Sequence, residues 1–155
     1  MKTYRFREKN FGKTQNIDKF NVLDFVCLST TWSGTCTEED GTVSLTFVGL
    51  DNRAQETFVD YRIKNDEEGE FALQITASCA HKGQRVDIFV DGEKLTEVVL
   101  DAPEYDIKKF YEFKSEKFKL SVGEHEIRSM IRGATTRDSV HYKNWSFIDK
   151  RKNIC

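Results

Sequence analysis

Three alternating runs follow one another between residues 58 and 90, and few folds accept that pattern. Val59, Tyr61 and Ile63 alternate with Asp60, Arg62 and Lys64. Phe71, Leu73, Ile75 and Ala77 alternate with Ala72, Gln74, Thr76 and Ser78. Val86, Ile88 and Val90 alternate with Asp87 and Phe89. Successive side chains on a strand point to opposite faces, so each run predicts a strand with one face on a core and the other towards water or a second surface. The third run ends in Asp91-Gly92. Both residues tolerate the positive φ of a type I′ turn, which predicts a hairpin there.

The rest of the chain repeats this grammar. Further strands are expected near residues 3–8, 22–28, 42–48, 94–100, 112–120, 125–131 and 140–148, separated by turn signals such as Asp40-Gly41, Glu68-Gly69, Lys82-Gly83, Gly123 and Gly133. About ten short strands at this spacing predict an all-β sandwich or barrel. No segment keeps helical periodicity over three turns; residues 105–111 (YDIKKFY) are expected to form at most one helical turn within a long loop. At 155 residues, without repeats or low-complexity linkers, residues 1–155 read as a single domain with enough chain to bury a core.

Several function classes fall away. The net charge is −2 with both signs interspersed, so no basic footprint for nucleic acid exists. No apolar run approaches the ~20 residues that span a bilayer. The opening MKTYRFREKNFG has no apolar core of a signal peptide. The expectation is an intracellular protein, or a domain whose leader or neighbours lie outside this chain. No G-x-S-x-G or H-E-x-x-H occurs, and the adjacent carboxylates Glu38-Glu39-Asp40 do not bracket a glycosidic bond, so no enzyme is expected. The four cysteines, Cys27, Cys36, Cys79 and Cys155, give no CxxC pair and no zinc spacing. Cys79, late in an alternating run, reads as a small buried hydrophobe. Cys155 reads as free, and Cys27 and Cys36 flank a short Gly-containing loop, which leaves a bridge or two thiols open.

From residue 58 onward, the order of the pieces resembles a family 6 carbohydrate-binding module, or its relatives in family 35. The matching pieces are Val59-Asp60-Tyr61-Arg62-Ile63, Gly69-Glu70-Phe71-Ala72-Leu73-Gln74-Ile75, Val86-Asp87-Ile88-Phe89-Val90-Asp91-Gly92, Leu120-Ser121-Val122-Gly123-Glu124-His125-Glu126-Ile127 and Tyr142-Lys143-Asn144-Trp145-Ser146-Phe147. The resemblance covers about the last two-thirds of the chain. It implies a jelly-roll sandwich of two antiparallel sheets, with a sugar site in the loops at one end. It also implies a lectin-like, non-catalytic polysaccharide-binding role, tethering to a glycoside hydrolase as an accessory domain, and an extracellular or cell-surface setting. The competing reading is a structural or protein-interaction sandwich, such as an accessory or adhesion module, that does not bind sugar. Family members often open with an acidic strand that helps hold structural calcium. Glu8 stands in that place, although Arg7 and Lys9 beside it weaken an anionic cage.

Sugar binding needs an exposed aromatic face and a few fixed polar partners. Trp32, set among Ser and Thr in Ser29-Thr30-Thr31-Trp32-Ser33-Gly34, reads as a stacking platform or as a plug on the end of the sandwich. Asn144 matches the family's last-strand asparagine, whose amide offers a hydroxyl pair both donor and acceptor. Strict alternation puts Tyr142 on the face of Asn144, at the edge of the site, and puts Trp145 and Phe147 in the core. Tyr105 lies in the loop where the family carries its second stacking aromatic, although a count back from Leu120 puts that position on Lys108; Phe110 and Tyr111 read as core. Arg137, with Arg132, Asp138 and His141, surrounds the loop before the last strand, where an arginine can pair with an anionic sugar or simply occupy a solvated turn. His81 and His125 read as turn residues.

Overall fold

The computed structural model describes residues 2–4, 14–28, 34–48, 57–133 and 137–149. The strands are β1 (Lys2–Tyr4), β2 (Thr14–Asn16), β3 (Cys27–Leu28), β4 (Gly34–Thr37), β5 (Val43–Val48), β6 (Thr57–Asn65), β7 (Gly69–Cys79), β8 (Arg85–Val90), β9 (Glu93–Val99), β10 (Tyr111–Lys114), β11 (Phe118–Leu120), β12 (Gly123–Arg132) and β13 (Arg137–Asp149). They form two sheets. Sheet A runs β1-β4-β5-β13-β7-β10, with β11 also on β7; sheet B runs β2-β6-β12-β8-β9, with β3 also on β6. All pairings are antiparallel except β2 with β6. The strand pattern predicts a sandwich or barrel, and the architecture is a sandwich, of the jelly-roll kind that the family resemblance implies.

The alternating residues meet between the sheets. Val59, Tyr61 and Ile63 of β6, Val86 and Ile88 of β8 and Ile127 of β12 face Leu73 and Ile75 of β7 and Leu45 of β5, all almost fully buried. An aromatic cluster joins the layers: Trp145 stacks on Phe20 at 5.2 Å between ring centroids and meets Tyr61 edge-on at 5.0 Å. The Tyr61 hydroxyl donates to the Val22 carbonyl, which satisfies the one polar atom that burial would otherwise strand. Cys79 is buried, as expected, and burial pushes its thiol up to about 11.

The Asp91-Gly92 hairpin has positive φ at both residues, +51° and +86°, and joins β8 to β9. Two expectations are corrected, and one open alternative is placed. Residues 105–111 form a turn closed by Lys109 N–H to the Asp106 carbonyl, with no helix. Of residues 22–28, only Cys27 and Leu28 are strand. Cys27 pairs into sheet B and Cys36 into sheet A, so the sheet assignment separates two cysteines that the sequence places close together.

Candidate functional site

The outward residues of sheet B form a second set of rows. The β6–β12–β8 register puts Asp60 opposite Arg128 and Arg128 opposite Phe89. Arg128 donates from Nε to Asp60 Oδ1 at 2.7 Å and from Nη2 to Oδ2 at 2.9 Å, and its guanidinium lies over the Phe58 ring, 3.8 Å from the centroid. A two-pronged contact of this kind fixes the arginine in orientation as well as position. In the neighbouring row Arg62 meets Glu126 at 3.5 Å. Asp60, Phe89, Glu126, Arg128, Met130 and Arg132 line a groove of about 490 Å³ on this face.

Asp87 anchors the rim of that groove. Its side chain is only 5% exposed, and Arg85, Arg132 and Lys94 lie 3.0, 3.2 and 3.3 Å from its carboxylate. Burial pushes this carboxyl up, but the three cations outweigh burial and hold it below the usual carboxylate value. Arg132, expected around the loop before the last strand either as a partner for an anionic sugar or in a solvated turn, is a strand residue beside Asp87.

A second concavity lies where the loops leave the sandwich. The turn between β7 and β8, the end of β9 and the segment leading to β10 enclose about 220 Å³ lined by Lys82, Arg85, Val99, Asp101 and Tyr105. Tyr105 packs its ring against the core and its hydroxyl donates to Asp101 Oδ1 at 3.2 Å. Desolvation, then that carboxylate, raises the phenol above its ordinary value. Gly133, just past β12, reaches the same place: a Cβ there would meet the Gly83 carbonyl oxygen at 2.8 Å.

Of the expected site residues, Tyr105, Tyr142 and Asn144 are described, and they take three different environments. Trp32, Glu8 and the side chain of Arg137 lie outside the described residues. Asn144 is exposed on the outer face of β13, opposite Thr76 and well inside the strand, so it is not beside Tyr105 at the loop end. Tyr142 is fully buried, not at a site edge. The register of β13 on β7 shifts between Tyr142 and Asn144, with Lys143 as the extra residue, so Tyr142 and Trp145 both turn inward. Burial pushes the Tyr142 phenol far up despite its bond to Ser129 Oγ at 3.3 Å. His141 is a nearly buried strand residue, with Nδ1 2.7 Å from Glu38 Oε2. The sequence reading placed Asp60 and Phe89 on the face turned away from the core, towards water or a second surface, and did not single out Arg128. Their shared outward parity was visible, but their cross-strand register was not.

Among the described residues, no helix is long and apolar enough to cross a membrane. No protein-family model matches the chain, and no curated protein sequence matches it. Solved structures do. A family 6 carbohydrate-binding module from Clostridium stercorarium, in complex with cellobiose, superposes with a TM-score of 0.68 at 8% identity, covering 90% of this chain and 99% of that one. A β-1,3-glucan-binding family 6 module from Bacillus halodurans gives 0.68 at 11% identity, covering 88% and 99%. A glycoside hydrolase family 43 arabinoxylan arabinofuranohydrolase from Bacillus subtilis gives 0.67 at 12% identity, covering 89% of this chain and 28% of that one. The chain therefore has the jelly-roll fold of the family 6 carbohydrate-binding modules, the family its sequence resembles.

Proposed function

We propose that this chain is a non-catalytic carbohydrate-binding module that holds a poly- or oligosaccharide in the groove on the outer face of sheet B. One observation carries the reading: the row Asp60–Arg128–Phe89 sets an aromatic ring beside an arginine already locked by two hydrogen bonds. An apolar sugar face stacks on Phe89, and the hydroxyls find Arg132 and the carboxylate of Glu126. Because the polar groups are fixed before binding, little ordering remains to oppose it. Both groove carboxylates, Asp60 and Glu126, are engaged by arginines, an arrangement suited to holding sugar rather than to general acid–base work. The similarity to one part of a glycoside hydrolase supports a role as an accessory domain that keeps a catalytic partner on its polysaccharide.

The loop end gives a second reading, favoured by the cavity beside Tyr105. A glycan array followed by titration calorimetry separates the two. Wild type is expected to bind one glycan class. Phe89→Ala should weaken that binding at least about tenfold, a loss of the size expected for a stacking contact, with the melting temperature little changed. Loss in Trp32→Ala or Tyr105→Ala with Phe89→Ala unaffected moves the site to the loop end. No binding to any glycan by the folded chain sinks the proposal and leaves the protein-interaction sandwich.

A further inference from the structure

We infer that Cys36, Glu38 and His141, on the outer face of sheet A, form a zinc site. The residues come from two places in the chain, Cys36 with Glu38 and the distant His141, and the fold unites them. Cys36 lies on β4 opposite Ser44 of β5, Glu38 follows two residues later, and His141 lies on β13 opposite Thr46 of β5. The thiol sulfur, the carboxylate oxygen and an imidazole nitrogen all lie within 4.8 Å of one another. Donors around a tetrahedral zinc ion are roughly 3.3–3.8 Å apart at ordinary Zn–S, Zn–N and Zn–O bond lengths. Small side-chain rotations therefore bring all three onto one ion.

The donor set selects the metal. One sulfur, one nitrogen and one oxygen suit zinc, whereas calcium and magnesium require oxygen shells. Thiolate and carboxylate together neutralise a divalent charge. The surroundings also favour a formed site. The His141 and Glu38 side chains are 4% and 10% exposed. Ser44 Oγ donates to the same Glu38 oxygen that faces His141, which holds the carboxylate in orientation. The Phe110 ring packs near His141, with centroids 6.4 Å apart. The nearby cation, Lys143, is paired with Asp40 at 2.8 Å. Three protein ligands leave a fourth tetrahedral position for water.

The test is titration of the reduced, full-length chain with zinc by calorimetry and with cobalt(II) by absorption, without chelator. The expected result is one equivalent of either metal, a thiolate-to-cobalt charge-transfer band with tetrahedral ligand-field intensity, and a higher melting temperature with zinc. Cys36→Ser should abolish the charge-transfer band, and Glu38→Gln, which keeps the side chain's shape, should abolish stoichiometric uptake. Ser44→Ala should weaken zinc by about 10–100-fold, the usual effect of losing a ligand's hydrogen-bond partner. Cys27→Ser and Cys155→Ser should change nothing. Absence of stoichiometric uptake, a cobalt spectrum without thiolate character, or uptake that survives Cys36→Ser overturns the inference. It holds or fails independently of sugar binding.

Discussion

Asp60 and Arg128 are Cα partners across β6 and β12, and each oxygen of the one carboxylate accepts a separate N–H from the other's guanidinium. The pair is half-exposed, with side-chain exposures of 39% for Arg128 and 23% for Asp60. Exposed ion pairs contribute little, but a bidentate pair that also lies over an aromatic ring is held better than most. A double-mutant cycle of Asp60→Ala and Arg128→Ala, read by urea denaturation, should give a coupling of about 1 kcal/mol. Arg128→Ala alone should cost more than Asp60→Ala alone, because it also uncovers Phe58. Equal costs would show that the guanidinium–ring contact is energetically idle.

The centre of the sandwich should be less forgiving. Trp145 stacks on Phe20 and touches Tyr61 and Tyr142, and it is 2% exposed. Removing it leaves a void that its three ring neighbours cannot fill, so Trp145→Ala should cost about 3–5 kcal/mol. Its indole N–H has no acceptor among the described residues. Trp145→Phe, which removes that buried donor while keeping a ring, should therefore cost much less than the alanine change. Denaturation of the two variants side by side tests this; equal losses would mean that the indole N–H has a partner.

His125 should titrate high. Its Nδ1 lies 2.6 Å from Asp91 Oδ2 and its Nε2 2.9 Å from the Ser121 carbonyl, so both nitrogens face acceptors, which only the doubly protonated ring can satisfy. Burial pushes the ring down, but the carboxylate and the carbonyl outweigh it and raise the ring above its ordinary 6.5. Asp91 is pushed up by burial and held below its ordinary 3.8 by His125 and the Glu126 N–H. The stabilisation from His125 is full below pH 6.5 and fades as pH rises through the folded value. That from Asp91 is full above 3.8 and fades as pH falls through its own depressed value. NMR titration should place His125 above 6.5, and Asp91→Asn, which suits the positive φ of the turn, should return it towards 6.5. An unmoved midpoint in Asp91→Asn would remove the carboxylate as the cause.

How much of this was legible follows from the range of each signal. Alternation is local, so the inward residues of β6, β7 and β8, the Asp91-Gly92 hairpin and the core position of Trp145 were all readable. The Tyr142 placement failed at one residue: the extra Lys143 in β13 reverses parity for every earlier position, and nothing in HYKNW announces it. The outward row Asp60–Arg128–Phe89 draws on three strands whose register is set by packing, and Glu38 and His141 are 103 positions apart. Spacing rules for metal ligands cannot see such a cluster. Conversely, Cys27 and Cys36 looked like neighbours, and the strand assignment put them on different sheets.

Gly133 tests how the loop end is held. Its φ is +99°, and a Cβ there would come within 2.8 Å of the Gly83 carbonyl oxygen and 3.1 Å of the Gln84 Cα. Backbone cannot move aside as a flexible side chain can. Gly92 also has positive φ, +86°, but a Cβ there would meet nothing within 4 Å. The two glycines separate conformational strain from steric contact. Gly92→Ala should cost about 1 kcal/mol from the left-handed backbone alone. Gly133→Ala carries that cost and must also move residue 133 away from Gly83 and Gln84, so it should cost at least about 2 kcal/mol in total. It should also widen the cavity beside Tyr105, read as faster hydrogen exchange at residues 80–84. If the two variants unfold at the same denaturant concentration, the backbone at Gly133 is not packed as tightly as the Gly133–Gly83 approach requires.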